Sequence, residues 1–173
     1  MTAGRTCVLA VAAVVATSVS GVARAGGDDR SASVGLAYGR LSLSDRDAAA
    51  HGAVLAVDYE RGLSDALSLR ASAGGGAHYD GGAAYSAYAT LSIVYLFDVL
   101  KYVPYASVGA GAVFTAGGDL DADLAPAIEL GAGLEVLRGR DASWGMYARA
   151  ATWADGATLV TAGARLTWRW GYF

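Results

Sequence analysis

An alternation of apolar with small or polar side chains runs along nearly the whole chain beyond its N-terminal segment, and few folds accommodate it. Tyr85, Ala87, Ala89, Leu91, Ile93, Tyr95 and Phe97 alternate with Ser86, Tyr88, Thr90 and Ser92. That is the period of a β-strand, whose successive side chains point to opposite faces. Residues 81–97 and 102–118 carry no charge, and hydropathy alone would read both as membrane helices. The alternation argues against a helix in the first. Pro104 and repeated glycines argue against one in the second, because both residues disfavour helix interiors.

The same period recurs over 32–38, 53–59, 67–73, 106–114, 128–136, 144–150 and 160–172. With 85–97 this predicts eight strands of about the length a tilted membrane-crossing strand needs, near ten residues. Tight turns are predicted at 62–66, 98–102 and 138–142, and longer links at 44–50, 75–82 and 115–126, with a short fourth at 153–156. Short turns at one end and longer loops at the other suit an all-β, eight-stranded antiparallel up-and-down transmembrane β-barrel, eight being the smallest number such barrels use.

Composition decides which face meets what. The chain is 54% hydrophobic and 17% charged, too apolar for a disordered segment. One face of each strand is aliphatic and ends in aromatics: Tyr38, Tyr59, Tyr85, Tyr95, Phe97, Phe114, Trp144, Trp170 and Tyr172 are expected to form interfacial girdles. The other face is glycine, serine, threonine and charge. Small residues beside charges suit a narrow interior, so the apolar face is placed against lipid. A soluble carrier with the faces inverted is the alternative.

The inward charges are Asp58, Glu60, Glu129 and Glu135 against Arg70, Arg149, Arg165 and Arg169, an interior that sums to zero. Asp58 and Glu60 lie one tight turn from Arg70, and Glu135 stands in the same relation to Arg149. Hairpin pairing is therefore expected, since an unpaired buried charge costs several kcal/mol.

Residues 1–5 carry one positive charge, 7–22 are uncharged and mostly apolar, and Ala23-Arg24-Ala25 follows. This predicts a secretory signal peptide over residues 1–25, cleaved to leave a barrel over 26–173. The single cysteine, Cys7, falls inside that segment, which excludes a disulfide scaffold. A formal charge of −3 offers no basic footprint for nucleic acid.

Two segments carry a family likeness. Val103-Pro104-Tyr105-Ala106-Ser107-Val108-Gly109-Ala110-Gly111 and Glu129-Leu130-Gly131-Ala132-Gly133-Leu134-Glu135 resemble strands of the small outer-membrane β-barrel proteins of Gram-negative bacteria, the group of the OmpA transmembrane domain, OmpX-like proteins and opacity-type antigens. The resemblance implies an outer-membrane location, reached by the secretion apparatus, periplasmic chaperones and the barrel-assembly machinery, with outer-membrane lipid as surroundings. Phe173 resembles the terminal aromatic read by that machinery, although Trp168, Trp170 and Tyr172 occupy the opposite phase.

Chemistry is sparse. Asp119, Asp121 and Asp123 alternate like calcium ligands, but Leu124 and Leu130 stand where an EF-hand needs glycine and glutamate, leaving a weak metal candidate. His51 and His78, expected in solvent at the loop edges, could be combined with Ser44, Asp45, Asp47 or Asp80 into a nucleophilic arrangement. Lipid A deacylases carry their histidine on a late strand, and no histidine follows His78 here. Gly74-Gly75-Gly76 lacks the Lys-Ser/Thr of a phosphate loop. The loops are acidic. The expectation is a non-enzymatic barrel without cofactor, structural or surface-interacting, with no extracellular ligand specified by the sequence. A narrow channel is the alternative and a lipid-acting enzyme the third reading.

Overall fold

The computed structural model describes residues 29–44, 49–97, 101–117, 120–139, 141–153 and 156–171. The predicted signal peptide, Asp119, Tyr172 and Phe173 lie outside them. The strands are β1 (Arg30–Ser42), β2 (Ala50–Gly62), β3 (Leu67–Tyr79), β4 (Ala83–Leu96), β5 (Tyr102–Gly117), β6 (Leu120–Leu137), β7 (Ala142–Trp153) and β8 (Thr158–Trp170). Each pairs antiparallel with the next, and β8 returns to β1 to close the barrel.

The register measures the slant. From Ala127 on β6 the paired residues run through Gly111, Thr90, Ser72, Asp58, Ser33, Thr167 and Ser143 to Leu137, ten positions further along the same strand. A stagger of that size tilts eight strands by about 40° from the barrel axis. Tyr85 and Tyr95, at opposite ends of the outer face of β4, are then about 25 Å apart along the axis, the height of the apolar band on membrane-crossing barrels.

The faces separate as the alternation predicts. Along β1, Ser31, Ser33, Ala37 and Leu41 are buried while Val34, Leu36 and Tyr38 are exposed. The outer wall carries Leu55, Leu91, Ile93, Ile128, Leu130, Met146 and Leu166, each more than 40% exposed. Soluble proteins rarely leave that much contiguous apolar surface uncovered; in lipid it is the favoured arrangement.

Two predicted loops are corrected. The links expected at 75–82 and 115–126 are mostly strand, because β3 continues to Tyr79 and β6 begins at Leu120. The glycines that suggested a loop are wall residues. A Cβ on Gly76 would lie 2.7 Å from Val54 Cγ2 and 2.9 Å from the Ala53 carbonyl, and one on neighbouring Gly74 2.6 Å from the Tyr88 ring. The β5–β6 hairpin turns through Gly117 at φ +100°, a conformation open chiefly to glycine, after a register shift between Thr115 and Gly117. The turn at 63–66 matches its prediction, with the amides of Leu63 and Ser64 both donating to the Leu67 carbonyl.

Candidate functional site

The lumen is filled by two kinds of side chain. Its half nearer the β2–β3, β4–β5 and β6–β7 connections, hereafter the turn half, holds a chain of ion pairs. Arg149 donates to both oxygens of Asp58 at 2.8 and 2.7 Å. Arg165 reaches Asp58 at 3.4 Å and also pairs with Glu135, which Arg169 meets on its other oxygen. Arg70 pairs separately with Glu60 at 2.8 Å. Hydroxyls complete the carboxylates: Ser33 donates to Asp58 at 3.0 Å, Ser143 to Glu135 at 2.8 Å and Thr167 to Glu135 at 3.3 Å.

Glu60 with Arg70 is the hairpin pair expected from the sequence. The others differ. Glu135 pairs with Arg165 and Arg169 rather than Arg149, and Asp58 with Arg149 and Arg165 rather than Arg70. Register supplies the reason. Glu135 lies opposite Gly145 on β7, and Gly145 lies opposite Arg165 on β8. A side chain on Gly145 would meet the Leu134 carbonyl at 2.5 Å and Glu135 Cγ at 3.1 Å. The glycine leaves the gap over which carboxylate and guanidinium join. Arg149 lies opposite Gly131 instead, four positions along β6 from Glu135. Glu129 makes no ion pair among the described residues and accepts hydrogen bonds from Thr90 at 3.1 Å and Ser92 at 3.2 Å.

Three buried tyrosines fit among these charges. Tyr105 has the guanidinium carbons of both Arg70 and Arg165 4.6 Å from its ring centre, and Arg149 lies 4.9 Å from that of Tyr147, contacts favoured by the negative ring face. Tyr105 also covers Gly133, where a Cβ would come within 2.5 Å of the ring. Alternation alone places Tyr88, Tyr105 and Tyr147 inward. Their role as space-fillers is visible only from the facing glycines.

The half nearer the loops, the loop half, is mainly apolar, with His78, Ser86, Thr115 and Thr161 as its buried polar side chains. Leu41, Val54, Val113, Ala127, Trp153 and Leu159 are all buried inside it. The expected polar inner face therefore holds only for part of the barrel's height. His78 is a second correction. It is not at a solvent-facing loop edge but 2% exposed inside the wall, with Nε2 2.8 Å from Ser86 Oγ. Among the described residues no carboxylate meets its Nδ1, and Ser86 is equally enclosed, which differs from the exposed serine and acid-oriented histidine of a catalytic triad. His51 faces outward, stacked on Tyr38 and hydrogen-bonded to its hydroxyl.

Of the girdle residues, Tyr38, Tyr85, Tyr95, Phe97, Phe114, Trp144 and Trp170 are exposed on the outer wall, and Tyr59 is half-buried against Trp170. Tyr79, Tyr102 and Trp168 are exposed there too and escaped the prediction. Asp123 is exposed on β6 opposite Thr115, and among the described residues no three metal-ligating side chains converge. A concavity of about 650 Å³ with Ala71, Ala73, Ala87, Ala89 and Ala112 in its lining opens on the outer wall. In the turn half of the lumen, a cavity of about 20 Å³ is bordered by Arg70, Tyr105 and Arg165.

No protein-family model and no curated protein sequence matches the chain. Solved structures do. Neisserial surface protein A superposes with a TM-score of 0.72 at 10% identity, covering 87% of this chain and all of that one. The fold is that of the small outer-membrane barrels. Ail, the attachment invasion locus protein of Yersinia pestis, gives a TM-score of 0.60 at 14% identity over 84% of this chain and all of its own. The outer membrane enzyme PagL gives 0.52 at 18% identity, over 80% of this chain and 97% of its own. The architecture thus hosts an enzyme as well as surface proteins, and only the lumen and rim of this chain bear on its own role.

Proposed function

We propose that the protein is a non-enzymatic outer-membrane barrel of a Gram-negative bacterium, exported by its N-terminal signal peptide, with a structural or surface-interaction role. The barrel-assembly machinery would read Phe173, and the loop end would face outward. The observation that carries this reading is the lumen, plugged in series by an ion-pair network and a layer of apolar side chains. Ions crossing it would have to break buried pairs and then enter an apolar layer, each step costing several kcal/mol. The enclosed His78–Ser86 pair argues against hydrolysis in the manner of a surface enzyme.

Planar-bilayer recording of the purified barrel tests this. The expected result is no stable conductance beyond brief, small openings. Large, sustained steps would replace the plugged barrel with a channel. Extraction from outer membranes, with heat-dependent gel migration, checks the location; recovery from the periplasm without detergent would contradict it.

A further inference from the structure

His78 is fitted into the loop half, at 2% exposure. Its imidazole reaches from β3 across β2 to β1, and glycines clear the way. A Cβ on Gly39 would lie 2.8 Å from His78 Cε1, and one on Gly76 would lie 3.0 Å from Nε2. Val54 of β2 stands against both glycines. From β4 the Ser86 hydroxyl meets Nε2 at 2.8 Å. The one ring thus ties β1 to β4 together at the loop end of the lumen.

What faces the ring is neutral. β1 presents Gly39, β2 Val54 and β4 Ser86, and the next inward group along β4 is Tyr88, whose hydroxyl is turned over Gly74. Across the lumen, β5 to β8 bring Val113, Thr115, Ala127, Trp153 and Leu159 to that end. Arg40 and His51, opposite each other on β1 and β2, are exposed on the outer side of the wall. Asp80 and Asp123 are exposed at the rim. A neutral imidazole fits this enclosure. An imidazolium there would be a buried charge without a counter-ion, which is strongly penalised.

We infer that His78 is a pH-sensitive latch on the loop half. Its neutral ring holds β1 to β4 closed around the apolar layer, and proton uptake releases it toward the carboxylates of Asp80 and Asp123 at the rim. The inference rests on the plugged-lumen reading, and the outward-facing loop end makes it a response to acid outside the cell. The turn-half ion pairs stay in place, so the latch loosens one half of the plug without opening a channel.

Hydrogen exchange of the folded barrel in detergent reads the latch. A proton taken up only by the open form shifts the opening equilibrium roughly tenfold per pH unit below about 6.5, the ordinary histidine value. Amides of residues 76–79 and 83–86 should lose about that much protection between pH 6 and 5, after correction for intrinsic rates, and almost none between pH 8 and 7. Amides of residues 92–95, in the turn half, should keep theirs. His78→Gln retains a donor for Ser86 and takes up no proton, so its protection should not change with pH. His51→Gln should behave as the parent. Protection independent of pH in the parent would overturn the latch, and so would an equal fall in His78→Gln or in the turn half. Bilayer recording at pH 7.5 and 5 should be silent at both. Large steps at pH 7.5 would overturn the plugged lumen and the latch's role with it, a failure distinct from any in the exchange data.

Discussion

The two halves of the lumen solve the same filling problem with different chemistry. In the turn half, Asp58, Glu135, Arg149 and Arg165 are all at most 8% exposed and hold one another across three or more strands. In the loop half, Leu41, Val54, Val113 and Leu159 fill the space by shape alone, at 3% exposure or less. The outer wall is apolar beside both. Inner chemistry is therefore free to vary with height, because an eight-stranded interior is just wide enough for its own side chains. The halves should differ in how they fail: a removed charge strands its partners, whereas a removed methyl leaves a void.

Arg165→Ala should be the most damaging substitution. It strips Asp58 and Glu135 of a shared partner, and breaking a buried pair from one side costs about 3–5 kcal/mol. Urea unfolding in detergent measures the loss, and bilayer recording should show the openings that the intact network suppresses. Leu159→Ala tests the other half. It should cost about 2–4 kcal/mol through cavity formation and leave conductance unchanged while the ion pairs stand. If both variants conduct alike, the two halves do not differ as described.

Gly133→Ala should cost about 1–3 kcal/mol, since its methyl must displace the Tyr105 ring. The same unfolding measurement reads it, and a companion Tyr105→Leu should recover part of the loss. Asp123→Asn lies on the exposed rim and should shift stability by no more than about 0.5 kcal/mol, with or without added calcium. A calcium-dependent difference between this variant and the parent would restore the metal reading of the rim.

Sequence legibility divides along the same line. The period of two reveals the strands, their faces and all of the inward charges, because alternation is a local property of the backbone. Which charges meet depends on register, and a slant of ten residues around the barrel has no local signature. Glu135 finds Arg165 because Gly145 lies between them, and glycine reads equally well as a loop signal. Gly75 and Gly76 misled in that way, so His78 beyond them was expected in a loop rather than inside the wall. The apolar loop half was hidden at strand ends, where Leu41, Trp153 and Leu159 lie outside the runs recognised by alternation.

The placement of the two faces carries everything else, and the four tryptophans report it directly. Trp144, Trp168 and Trp170 are exposed on the outer wall, whereas Trp153 is 6% exposed inside the barrel. Single-tryptophan variants reconstituted into bilayers with brominated acyl chains would be compared by fluorescence. Strong quenching of Trp144, Trp168 and Trp170 with Trp153 spared is the predicted result. Quenching confined to Trp153 would mean that the apolar wall encloses the interior instead of meeting lipid.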